Sequence, residues 1–142
     1  MNNGFKLKWI RTLILVIGFI SAWILYRAYK YSQLYKNYKI VTGRITHVSP
    51  AVMRGTFRSV EYEFIVNDKK YSGAGKTTYC KNYQLGELRR LLVDQKFSIA
   101  YDSTDPSNNA IIFSVKAATQ FKQKPTDMLL HFDSIINCIK IQ

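Results

Sequence analysis

At 142 residues the chain has room for one domain, and its 21 Lys and Arg against 9 Asp and Glu give a formal net charge of +12. That charge is not spread evenly: residues 1–39 hold Lys6, Lys8, Arg11, Arg27, Lys30, Lys36 and Lys39 and no acid, which leaves the remainder only mildly basic. No recognised nucleic-acid motif accompanies it, so a nucleic-acid partner is not expected.

The first element is an anchor. Thr12 to Tyr26, TLILVIGFISAWILY, has no charged residue. Counted from Trp9 to Arg27 it reaches the length a slightly tilted membrane-spanning helix needs. Trp9, Trp23 and Tyr26 suit the headgroup level, and Arg11, Arg27 and Lys30 can reach lipid phosphate. The competing reading is a cleaved signal peptide with a basic start and a passable cleavage site at Ile20-Ser21-Ala22. Trp23, Ile24 and Leu25 carry the apolar run straight through that site, which favours an uncleaved single-pass helix. Basic residues on its two sides nearly balance, so charge does not choose an orientation. Anionic headgroups are the simplest partner for them.

Arg27 to Tyr38 continues as a juxtamembrane helix with Tyr31, Tyr35 and Tyr38 in a stripe, read as an interfacial belt that also packs on the next domain. Lys39 to Val48 is a β-branched strand ended by Ser49-Pro50. Arg58 to Val66 alternates, with Val60, Tyr62, Phe64 and Val66 on one face and Ser59, Glu61 and Glu63 on the other. Asn67-Asp68 turns it into Lys69 to Thr78, a β-hairpin, and Ser72-Gly73-Ala74-Gly75 loosens the second strand as at a bulge or barrel bend. Tyr83 to Asp94 is a short amphipathic helix on Leu85, Leu88, Leu91 and Leu92. Lys96 to Asp102 is a strand, Ser103 to Asn109 dense turn chemistry, and Ala110 to Val115 a last apolar strand. After Pro125, a helix capped by Thr126 has Met128, Leu129, Phe132, Ile135, Ile136 and Ile139 on one face. It packs on the sheet, lies on the membrane or binds a partner.

The expected fold is therefore α+β: a transmembrane helix, then a small antiparallel sheet or barrel of about five strands with one short helix and a C-terminal amphipathic helix. Its segments are residues 1–38, 39–121 and 122–142.

Three stretches resemble a bacterial family of membrane-tethered domains, domain of unknown function 3592. They are Val41-Thr42-Gly43-Arg44-Ile45, the hairpin Tyr62 to Gly73 (YEFIVNDKKYSG) and Phe97 to Pro106 with its aspartate-proline turn. The resemblance covers roughly residues 40 to 113. It implies a small β domain held at a bacterial inner membrane and no defined activity. The chain departs in having Asp68 where a glycine is usual and in lacking a second membrane helix after the domain.

The residues point to no enzyme. Glu61 and Glu63 share one face of one strand, where nearby Lys69 or Lys70 explains them better than acid–base catalysis does. His47 and His131 show no metal-ligand spacing. Cys80 beside Lys81 lacks a base placed by sequence, and Cys80 and Cys138 read as two ordinary thiols or one bridge. Gly75-Lys76-Thr77 is the end of a phosphate loop without its first glycine. No cofactor or metal is expected. The expected function is a binding module with a protein partner, of which an immunity-type protein restraining a toxin or effector is one version. The surface to watch is Arg54, Arg58, Tyr71, Lys76 and the tail helix. A lipid-contacting structural protein is the alternative, and a small hydrolase or thiol enzyme on Glu61, Glu63 or Cys80 the remote one.

Overall fold

The computed structural model describes residues 3–52, 57–78 and 85–137. The chain divides into two compact units, one ending at Gln33 and one beginning at Leu34. Helix α1 (Asn3–Asn37) makes up the first and gives its last turn to the second. From Trp9 onward it is long and apolar enough to cross a membrane, with a mean hydropathy of 1.8 over its most apolar stretch. Trp9, Leu13, Leu15, Phe19, Trp23 and Leu25 are all more than half exposed. At about 100° per residue they point to every side of the helix, so no polar face is left for water.

In the second unit, β1 (Tyr38–Val52), β2 (Phe57–Val66), β3 (Lys69–Thr78), β4 (Lys96–Asp102) and β5 (Asp105–Ile112) form one antiparallel sheet in the order β3-β2-β1-β4-β5. It is nearly closed. Edge strands β3 and β5 meet through side chains: Tyr62 on β2 donates its hydroxyl to Asn109 Oδ1 on β5 at 2.8 Å. Gly73 and Gly75 on β3 make that approach possible, because a Cβ on Gly73 would strike Tyr62 and Asn109, and one on Gly75 would press Ile111 and Phe113. The Ser72–Gly75 stretch is thus a barrel bend; β3 pairs with β2 without a register shift, so no bulge lies there.

The bulges are on β1, between Ile45 and His47 and between Val48 and Ala51. The second carries Pro50, whose missing N–H a bulge tolerates. Ser49 Oγ repairs the ladder, accepting from Ser59 N at 2.9 Å and donating to Ser59 O at 3.2 Å. Ser49-Pro50 therefore bends β1 and does not end it. At the β2–β3 turn Asn67 and Asp68 take φ of 50° and 60°, the left-handed pair of a two-residue hairpin.

Helix α2 (Leu85–Leu92) packs Leu88 and Leu92 into the barrel beside Ile45, Val48, Val60, Tyr62, Phe64, Phe97 and Ile99. A short helix, α3 (Val115–Gln120), stands where the sequence suggests the end of a strand; Ser114 caps it, accepting from Ala117 N at 3.1 Å. Likewise β5 begins at Asp105, so the turn shrinks to Ser103-Thr104. Asp102 holds it, accepting from Thr104 N at 2.9 Å and Thr104 Oγ1 at 2.7 Å. Helix α4 (Asp127–Asn137), capped by Thr126, buries Leu129 and Phe132, the latter with its ring 5.1 Å from Phe97. The tail helix packs on the sheet. A second cluster of Leu34, Ala100, Ile112, Ala118, Phe121 and Leu129 covers the outer face of β4.

Candidate interaction surface

The strand carrying the two glutamates also shows what they do. Outward-facing Glu63 lies opposite Arg44 across the β1–β2 ladder and diagonal to Lys70 on β3. Arg44 Nε donates to Glu63 Oε1 at 2.7 Å, and Lys70 Nζ lies 2.5 Å from Oε2. The hydrogen bond from Lys70, then that from Arg44, hold the Glu63 carboxyl below its ordinary range, and Glu63 in turn raises the Arg44 guanidinium. Glu63 is an anion at neutral pH, with Arg44 on one carboxylate oxygen and Lys70 on the other. Glu61 is exposed.

β1 pairs with β4 from Tyr38 but with β2 only from Gly43, so β1 and β2 part below that point. The parting leaves a shallow groove of about 230 Å³ lined by Thr42, Gly43, Arg44, Glu63, Ile65 and Lys96. A neighbouring groove shares Thr42 and Lys96 and continues to Ser98, Lys124, Thr126 and Met128. Arg44 and Lys96 are direct cross-strand partners, a like-charge pairing that ordinarily destabilises a sheet. Glu63, with Asp94 at 4.0 Å, compensates Arg44 and leaves Lys96 as an exposed cation. A third, wide and open depression is lined by Thr46, His47, Arg89, Arg90, Val93 and Asp94. Arg89 is fixed there by donating from Nε to Val48 O at 3.0 Å.

Of the residues expected on a partner surface, Arg58 is not on one and Tyr71 is only partly on one. Arg58 is only 4% exposed; it shares the strand parity of Val60, Tyr62 and Phe64 and so points inward. Tyr71, directly opposite Phe64, is half-buried and stacks on it at 5.7 Å. Lys76 is exposed on β3, in mid-strand, so Gly75-Lys76-Thr77 forms no phosphate loop. Arg54, Cys80 and Cys138 lie outside the described residues. Trp9, Trp23 and Tyr26 are exposed on α1, and Lys30 Nζ sits 5.9 Å from the Tyr26 ring centre. His131 is exposed beside Phe132, and His47 is half-buried. Among the described residues no three His, Cys, Asp or Glu side chains gather as a metal site would require. Arg44, Lys96, Arg89, Arg90 and Lys124 are absent from the sequence-based set, because only the strand register and the α3–α4 connection bring them to these depressions.

No family model, no curated protein and no solved structure matches the chain.

Proposed function

We propose that the chain is a membrane-anchored binding module of the bacterial inner membrane that holds a protein partner there and performs no chemistry of its own. The observation that carries this reading is an apolar helix, exposed on all sides, joined to a small barrel filled by its own side chains. Such a helix has a place in lipid, at about 25 cal/mol for each Å² of apolar surface it would otherwise show to water. A filled barrel, by contrast, offers a partner its outside. The shallow basic depressions along Thr42, Lys96 and Lys124 and around His47, Arg89 and Arg90 suit an acidic protein surface. Glu63, with both carboxylate oxygens taken up by Arg44 and Lys70, supports the non-enzymatic part of the reading. The resemblance to the domain of unknown function 3592 family supports the bacterial setting.

The test is a crosslinking pull-down of the full chain from native membranes, repeated with Arg90→Glu and Lys96→Glu. One dominant protein partner, weakened about tenfold or more by either charge reversal, is the expected result. Recovery of lipid alone overturns the partner reading and its immunity-type version.

A further inference from the structure

We infer that Leu34–Val41 and Val115–Thr126 together form a docking surface for anionic phospholipid headgroups, an inference that rests on the membrane-anchored reading above. Phe121 locks the two segments together. The Tyr35 ring stacks on it at 5.0 Å, and Tyr38 meets it edge-on at 5.3 Å while donating its hydroxyl to the Phe121 carbonyl at 3.1 Å. Leu34, Ala118 and Leu129 are buried beneath. Exposed along the two segments are Lys36, Lys39, Lys116, Lys122 and Lys124, and neither segment contains an Asp or Glu.

The backbone accommodates strain at this surface. Lys122 takes φ 51°, a left-handed conformation that costs a lysine more than a glycine. It closes α3 as Lys122 N donates to Thr119 O at 3.1 Å and Gln123 N to Ala118 O at 2.9 Å. Glycine would serve that cap at lower cost and would carry no charge. Next to Lys124, in the same groove, is Met128, 44% exposed. Lysines beside an exposed apolar side chain are the composition of a surface that meets headgroups and dips into the acyl boundary.

Lipid, and not a protein, is the committed occupant because the chain itself keeps it near. Only Ala28 to Gln33 separate Arg27 from Leu34, so Leu34, where the clamp begins, stays within about 25 Å of Arg27 even with that stretch fully extended. Anionic headgroups then act on the five lysines at a high effective concentration. Each lysine close to such a surface contributes a factor of about five to binding.

The full chain is reconstituted into vesicles of phosphatidylcholine alone or with one-third phosphatidylglycerol. Amine-labelling rates are then read lysine by lysine by mass spectrometry. Lys76 is the reference, since it pairs with Ser59 far along the sheet from Lys39. Relative to Lys76, labelling of Lys36, Lys39, Lys122 and Lys124 is expected to slow about fivefold with phosphatidylglycerol and to recover in high salt. Equal rates in the two vesicles, or protection that survives high salt, overturn the inference. So does protection found only in native membranes, which assigns the surface to a protein. Co-flotation with both vesicle types separates the two readings. A chain that floats with neither sinks the anchor itself, whereas one that floats with equal labelling sinks only the lipid surface.

Discussion

Tyr62 does three jobs from one position. Its ring fills the barrel, its hydroxyl reaches Asn109 on β5, and its far end occupies the space that Gly73 leaves. Burial, opposed in part by a hydrogen bond from the Ile111 backbone, raises its hydroxyl well above the ordinary 10.0. The folded protein therefore keeps a proton that the unfolded chain gives up near pH 10. That contribution to stability is complete below pH 10 and lost as pH climbs beyond it. Urea unfolding of Tyr62→Phe should show about 1 kcal/mol less stability at pH 7, from the lost hydrogen bond, and a flatter decline than wild type above pH 10. An unchanged alkaline slope would mean that Tyr62 is not the group whose burial sets it. The inward aim of Tyr62 is legible in the alternation of β2; Arg58 shares that parity, but its charge suggests an outward residue and only the structure turns it in. Asn109, the partner of Tyr62, is not legible, since nothing local says that β5 closes against β3.

Elements show the same division. The Asn67-Asp68 turn is readable because few residue pairs tolerate two consecutive left-handed conformations. Asp68 at φ 60° still bears a cost that glycine would avoid. Asp68→Gly should raise stability by up to about 1 kcal/mol without altering the fold, as a shift in urea midpoint at constant slope. A loss of stability would show that the Asp68 side chain contributes more than its backbone strain costs. Elements with long-range causes are harder to foresee. Pro50 reads as a stop but becomes a bulge because Ser49 can bond to Ser59 on the next strand. Ser103 to Asn109 reads as one long turn but becomes a two-residue turn and a strand, because Asp102, Asp105 and Asn109 bond locally to its backbone. Helix α3 is too short for periodicity to reveal and depends on its Ser114 cap and on Phe121 docking.

For the whole molecule the decisive element is the tail. An amphipathic helix at a chain end suits a sheet, a membrane or a partner equally well by pattern. Here Leu129 and Phe132 are buried, and Phe132 meets Phe97 inside the barrel. Phe132→Ala should cost about 3–4 kcal/mol in urea unfolding of the full chain, the range for emptying a buried aromatic site. A loss below about 1 kcal/mol would detach the helix from the core and return it to the membrane or to a partner.

Periodicity and composition alone determine the apolar helix, the five-strand antiparallel pattern, the hairpin and the faces that β2, β4, α2 and α4 bury. These follow from backbone geometry of period 2 or 3.6, from turn residues that few others can replace, and from the absence of charge over the fifteen residues of Thr12 to Tyr26. Tertiary structure decides what lies beside what: that Arg44 binds Glu63, that Lys96 stands opposite Arg44, and that Tyr35 and Tyr38 close on Phe121. Those neighbours are set by strand register, barrel closure and the return of the chain after β5. Residues 19 to 86 positions apart meet there, and no local pattern encodes such meetings.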